Sequence, residues 1–160
     1  MNIAHLLLKS AQAFRDHTAL ARGTEPHLSY RELWRKVSVM STHLRVRFGL
    51  APGDRVAFAM TNCVESLEVM YAIWHAGMCA VPMNAKLHAK EFAFILDNSG
   101  ARLCFVTPDL AATIAEAVKD APSVKEIVDV TTRPYTFMAV GDPSPMAEAE
   151  PTDPAWLFYT

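Results

Sequence analysis

The feature that most constrains this chain is a repeated alternation. Amphipathic stretches that close on Gly49, Gly77 and Gly100 are each followed by a short, unbroken apolar run: Val56–Met60, Met78–Val81 and Leu103–Val106. A fourth such run, Ile127–Val130, comes later. Runs this short and uniformly apolar read as strands buried on both faces. Helices alternating with such strands predict an α/β fold, a mainly parallel sheet flanked by helices.

The helices carry their own signals. Ile3, Leu7, Ala11 and Phe14 define one face of a first helix, with Asn2 as its cap. Thr18 to Ala21 reads as a short strand, and Gly23 to Pro26 as a turn. Ser29-Tyr30-Arg31-Glu32 has the form of a capping box. The helix it opens places Leu33, Val37, Met40, Leu44 and Phe48 on one stripe. Val64, Leu67, Tyr71 and Trp74 mark the next helix, and Phe92, Ile95 and Leu96 one from about Ala89 to Asn98. Asp109 reads as the cap of a helix carrying Leu110, Ile114 and Val118. Gly77 and Pro82 read as fold residues, the one ending a helix and the other ending a strand.

Composition excludes several classes. With 15 Lys and Arg against 17 Asp and Glu, the net charge of −2 does not suit a protein that works by neutralising phosphates of a nucleic acid. At 51% hydrophobic and 20% charged residues the chain reads as folded. Cys63, Cys79 and Cys104 are too widely spaced for a zinc ribbon or a disulfide framework, and read as free thiols of a reducing compartment. The N-terminus has no basic segment leading into an apolar core, and the longest uncharged run, Val69 to Ala85, falls short of the ~20 residues of a bilayer span. The expectation is a cytoplasmic protein.

The last part differs from the rest. Five of the ten prolines fall between Pro134 and Pro154. The organisation expected is an α/β unit over residues 1–132, a Pro-rich surface connection over 133–154 and a strand over 155–160, Ala155-Trp156-Leu157-Phe158-Tyr159-Thr160. A strand with no helix after it is an incomplete βα unit, so the chain reads as the N-terminal part of a longer protein.

No glycine-rich phosphate loop, His-x-x-x-His or His-Glu-x-x-His spacing occurs. His43 reads as a helix-surface histidine. Glu65 and Glu68, three apart, read as a solvated helix face. Trp74, Met70 and Tyr71 read as core.

Three stretches together are more specific. They are Leu28-Ser29-Tyr30-Arg31-Glu32-Leu33, the run Ala72-Ile73-Trp74-His75-Ala76-Gly77-Met78-Cys79-Ala80-Val81-Pro82-Met83-Asn84 with its continuation from Phe92 to Asn98-Ser99-Gly100-Ala101-Arg102, and the terminal Asp153 to Thr160. In order and spacing they resemble the N-terminal region of the adenylate-forming superfamily: acyl-CoA synthetases, luciferases and peptide-synthetase adenylation domains. Val81-Pro82-Met83-Asn84, with Glu91 and Asp97 to Arg102, is most similar to the acid–CoA ligases.

The resemblance implies a chemistry. Such enzymes transfer AMP from ATP to a carboxylate, releasing pyrophosphate, and the CoA thiolate then displaces AMP. ATP, Mg²⁺ and coenzyme A are the implied cofactors, and a carboxylic acid, with a lean to fatty acids, the implied substrate. In the family a loop of the form Ser-Gly-Thr-Thr-Gly-x-Pro-Lys-Gly follows a segment like Phe158-Tyr159-Thr160. This chain stops there, so the fragment is expected to be inactive alone, with the remainder of its parent chain as partner and an adventitious homo-oligomer through the exposed face. Thr160 is the candidate nucleotide contact, and equally a turn or capping threonine. Lys86 and Arg102 are candidates for CoA phosphates, or solubilising cations. No catalytic and no metal-ligating residue is assigned. His88 stands where relatives commonly carry Thr or Ser, a poorer cap by about 1 kcal/mol, and Ala85 stands where proline is frequent, which leaves that loop freer. The competing reading is a stand-alone α/β binding or interaction module.

Overall fold

The computed structural model describes residues 1–160. Six helices and six strands organise it. Helix α1 (His5–Ala13) precedes a hairpin of β1 (Thr18–Arg22) and β2 (Glu25–Ser29). Then follow α2 (Tyr30–Val46), β3 (Arg55–Ala59), α3 (Val64–His75), β4 (Cys79–Met83), α4 (Ala89–Ser99), β5 (Leu103–Val106), α5 (Pro108–Ala117), β6 (Glu126–Asp129) and α6 (Arg133–Phe137). Strands β3 to β6 form one parallel sheet in the order β4-β3-β5-β6, and the hairpin is a separate antiparallel pair.

The strands are uniformly apolar because both faces are covered. Val56, Phe58, Leu103 and Phe105 point to a core shared with α2, α3 and α6, where Met40, Leu44, Ile73, Tyr135 and Met138 are buried. Their neighbours Ala57, Ala59, Cys104 and Val106 point to a second core with Phe92, Leu96 and Ile114 of α4 and α5. This is the two-residue alternation of a pleated strand with a helical layer on each side. The Ser29–Glu32 capping box is formed: the Glu32 amide donates to Ser29 Oγ at 3.3 Å, and the Glu32 carboxylate accepts from the Ser29 amide at 2.8 Å.

Several local expectations are corrected. Pro26 lies within β2, which pairs with β1 around Gly23. Asn2 does not cap α1, whose N-cap is Ala4. Its Oδ1 accepts from the Ala4 amide, and its amide group donates to the carbonyls of Trp74 and Ala147. Phe14 is 54% exposed because α1 ends before it. Thr107, not Asp109, is the N-cap of α5, since Pro108 takes the first helical position. His88 does cap α4: its Nδ1 accepts from the Lys90 amide at 3.4 Å, and Glu91 accepts from the His88 amide at 2.7 Å.

Pro82 sits inside β4 rather than after it, in register with Phe58. A proline is tolerated there because its nitrogen faces the outer edge of the sheet and interrupts no bond to β3. The span 133–154 is more than a surface connection. It opens with α6, which buries Tyr135 and Met138. It continues as a strap over α2 and α3, to which Thr42 Oγ1, His43 Nε2 and Arg45 Nη1 donate through the carbonyls of Asp142, Val140 and Pro145. Residues 155–160 do not form a full strand. They make a single parallel bridge, Trp156 to Ala80, on the outer edge of β4.

Candidate functional site

In a parallel α/β sheet the loops at the carboxyl ends of the strands form the natural ligand crevice. The terminal segment runs parallel to β4, so it delivers Thr160 to that end. Thr160 is exposed and lines a shallow cleft with Leu87, Lys90, Glu91, Phe94, Ile95 and Tyr159. Lys86 lies on the loop that follows β4, exposed, its amide donating to Asn84 Oδ1 at 3.0 Å.

Arg102 lies elsewhere. It precedes β5 and so stands at the amino ends of the strands, where its Nη1 pairs with Asp54 Oδ2 at 3.0 Å. At ~3.3 Å per residue a strand of four or five residues separates the two ends by roughly 15 Å. The structure therefore brings Lys86 to Thr160's end of the sheet and keeps Arg102 from it. Closeness of the two cations in the sequence hides this, because helix α4 between them carries the chain back to the opposite end of the sheet.

Two buried polar groups escaped sequence reasoning. Glu68 is fully buried, not solvated. Its Oε2 accepts from Lys36 Nζ at 2.6 Å and from the Tyr135 hydroxyl, and its Oε1 stands 3.5 Å from His27 Nε2. Burial, together with the charge of Glu68, pushes the Tyr135 hydroxyl far above the usual phenol range. The periodic stripe through Leu67 misled the reading: Leu67 is 40% exposed, while Val69, Ala72 and Ile73 face the sheet. Lys36 and Tyr135, far apart in sequence, supply the partners of this buried side chain. Glu65, by contrast, pairs with Arg22 of the hairpin at the surface.

His75 is the second. It is 1% exposed, its Nδ1 is 2.8 Å from Ser41 Oγ, and its ring leans on Trp34 with centroids 5.0 Å apart. Ser41 Oγ also donates to the Ser38 carbonyl and contacts Ser144 Oγ of the strap at 2.9 Å. Since the Ser41 proton goes to Ser38, the consistent tautomer has His75 donating from Nδ1 to Ser41. Burial, reinforced by the neighbouring Arg45 charge, lowers the His75 pKa to about 4. A Ser–His contact sealed under a strap, with no access for a substrate, holds the strap and is no nucleophilic centre. No three His, Cys, Asp or Glu side chains converge on a point that would hold a metal ion. No helix is long and apolar enough to cross a membrane.

The terminal segment is held by few bonds. The Ala80 amide and Trp74 Nε1 both donate to the Ala155 carbonyl, at 2.9 and 2.8 Å, and the Leu157 amide donates to the Ala80 carbonyl at 2.9 Å. Trp156 packs edge-on to Trp74, and Phe158 is 64% exposed. Trp156 and Phe158 thus leave an open aromatic face at the outer edge of the sheet.

The geometry has known counterparts. The N-terminal domain of FACL13 from Mycobacterium tuberculosis superposes with a TM-score of 0.88 at 25% identity, over 100% of this chain and 42% of that one. A feruloyl-CoA synthase of Amycolatopsis is 37% identical over 99 residues, 62% of this chain and 20% of that protein. A long-chain-fatty-acid–CoA ligase of Mycobacterium tuberculosis is 31% identical over 115 residues, 70% of this chain and 23% of that protein. The chain thus spans about a fifth of the length of these curated relatives. Because the family model of the AMP-binding enzymes matches residues 7–160, this chain belongs to the AMP-binding enzyme family.

Proposed function

We propose that this chain is the N-terminal portion of an ATP-dependent acid–CoA ligase. The carrying observation is that residues 155–160 lie parallel on β4 and bring Thr160 to the carboxyl ends of the strands, within a family that binds AMP. A carboxylate resists nucleophiles because of its own negative charge. Joining it to AMP, with loss of pyrophosphate from ATP, makes a leaving group, and a CoA thiolate then displaces AMP to give the thioester. The Thr160 hydroxyl would contact the nucleotide, with Mg²⁺ arriving on the ATP phosphates as part of the substrate. Lys86, exposed on the loop at the same end of the sheet, would meet a CoA phosphate. Arg102, engaged by Asp54, is the weaker candidate. The acid is proposed to be a fatty or aryl carboxylate, the classes in the names of the matching ligases.

The partner we propose for the Trp156–Phe158 face is the remainder of the same polypeptide. Residues 1–160 alone are proposed to be inactive, because preorganised amides and cations around the phosphates supply most of the stabilisation in such transfers and this chain contributes one hydroxyl. The test is ATP–pyrophosphate exchange with a panel of fatty and aryl acids, run on the complete reading frame and on residues 1–160. Acid-dependent exchange by the complete protein alone supports both statements. No exchange by the complete protein refutes the ligase reading, and exchange by residues 1–160 refutes the inactivity.

A further inference from the structure

The segment that ends at Thr160 is attached to the sheet in an unusual way. Ala80 directs both its amide and its carbonyl outward from β4, to Ala155 and Leu157. Side-by-side parallel pairing repeats every two residues, so the next outward amide would belong to residue 82. That residue is Pro82, which has no amide hydrogen. That rung is therefore missing, and no backbone hydrogen bond reaches residues 158–160.

What fixes the end of the segment is a side chain. The Tyr159 hydroxyl donates to Asn98 Oδ1 at 2.8 Å, and its ring lies edge-on to Phe94, with centroids 6.3 Å apart. Both partners stand on α4. That helix is itself firmly closed at its end: Gly100 caps it in the left-handed conformation at φ 62°, and Arg55 Nε donates to the Ser99 carbonyl at 2.7 Å. Asn98 is thus a rigid post, and Tyr159 the arm that reaches it.

We propose that Asn98 is a positioning residue for the nucleotide. Through Tyr159 it sets where Thr160, and whatever chain continues from it, stands relative to the sheet. This rests on the reading of Thr160 as a nucleotide contact. The chemistry requires only that Asn98 accept a hydrogen bond, so an aspartate serves and an alanine does not.

The experiment is ATP–pyrophosphate exchange on the complete protein, with KM for ATP and for the acid measured separately, for Asn98→Ala, Tyr159→Phe, Asn98→Asp and the Asn98→Ala/Tyr159→Phe pair. A lost hydrogen bond of ordinary worth predicts an ATP KM raised about fivefold in each single variant. The acid KM stays unchanged, Asn98→Asp stays near the parent value, and the double variant is no worse than either single one. An unchanged ATP KM in Asn98→Ala, additive effects in the pair, or a fall in kcat with neither KM moved overturns the proposal while leaving the ligase reading intact. Absence of exchange in the parent protein with every acid overturns both.

Discussion

Acid should loosen this fold through one residue, His75. Unfolded, its imidazole takes a proton near pH 6.5. Folded, it holds none until about pH 4, because it is buried and faces Arg45. Between those values the unfolded chain binds more protons, so stability rises with pH across the window and is lost as pH falls from 6.5 towards 4. A separation of that size corresponds to about 1 kcal/mol lost by pH 5.5 and between about 2 and 3 kcal/mol by pH 4.5. Carboxylates lose their partners at the lower end of the same range, so one protein alone cannot assign the effect. The comparison is with His75→Asn, which keeps a polar atom near Ser41 and cannot titrate. Removing the ring from Trp34 lowers the stability of that variant at every pH, and only the slope is read. Urea midpoints followed by the fluorescence of the three tryptophans, at pH 7.5, 6.5, 5.5 and 4.5, give both curves. The gap between them should narrow by about 2 to 3 kcal/mol from pH 7.5 to pH 4.5. Parallel curves would refute a neutral, buried His75.

Further outcomes follow from other contacts. Glu68→Gln and Tyr135→Phe should each cost about 1–3 kcal/mol in urea unfolding, and the double variant less than their sum, because the first weakens and the second removes the one hydrogen bond from the Tyr135 hydroxyl to position 68; additive losses would show the two side chains to be independent. Gly77→Ala should destabilise by about 2 kcal/mol or more, since the residue has φ +76° and a Cβ there would lie 2.7 Å from the Ala147 Cβ of the strap. Faster amide exchange confined to residues 142–149 would locate the damage in the strap, and an unchanged melting temperature would contradict it. A thiol reagent at pH 8 should modify Cys63 alone in the folded chain, because burial pushes Cys79 up and Cys104 up to about 12. In the complete protein Lys86→Ala should raise the CoA KM about threefold while Arg102→Ala leaves it unchanged, as a single exposed cation is worth a few tenths to 1 kcal/mol; the reverse ranking would move the CoA phosphates to the other end of the sheet.

What could be read in advance was local. The Ser29–Glu32 box, the glycine stops and the uniformly apolar strands each depend on residues within a few positions, and the parallel sheet follows from their alternation. Errors arose where a residue's role depends on a distant partner. Glu68 reads as solvated until Lys36 and Tyr135 close over it. Asn2 reads as a cap until Trp74 and Ala147 supply carbonyls for its amide. The strap has no periodicity because its bonds go to side chains of α2, which no pattern within 139–149 encodes.

The candidate site divides along the same line. Motif order alone makes Thr160 a candidate, but its placement depends on three features that lie 61 or more positions upstream: the outward-facing Ala80, the missing amide of Pro82 and the acceptor on Asn98. Each looks ordinary alone. Pro82 in particular reads as a strand terminator, and it is one, though not of β4: it terminates the pairing of the segment laid against β4. A backbone ladder would have locked residues 158–160 into the sheet as a rigid strand. Ending it at Pro82 leaves the last residues held by side chains alone: the Tyr159–Asn98 bond, the Tyr159–Phe94 and Phe158–Trp156 contacts, and the packing of Tyr159 on the α4 side of the core. Pro82→Ala restores a donor at that edge. It should extend the bridge towards Tyr159 and slow amide exchange at residues 158–160, and unchanged exchange there would show that the proline does not set the limit of the ladder.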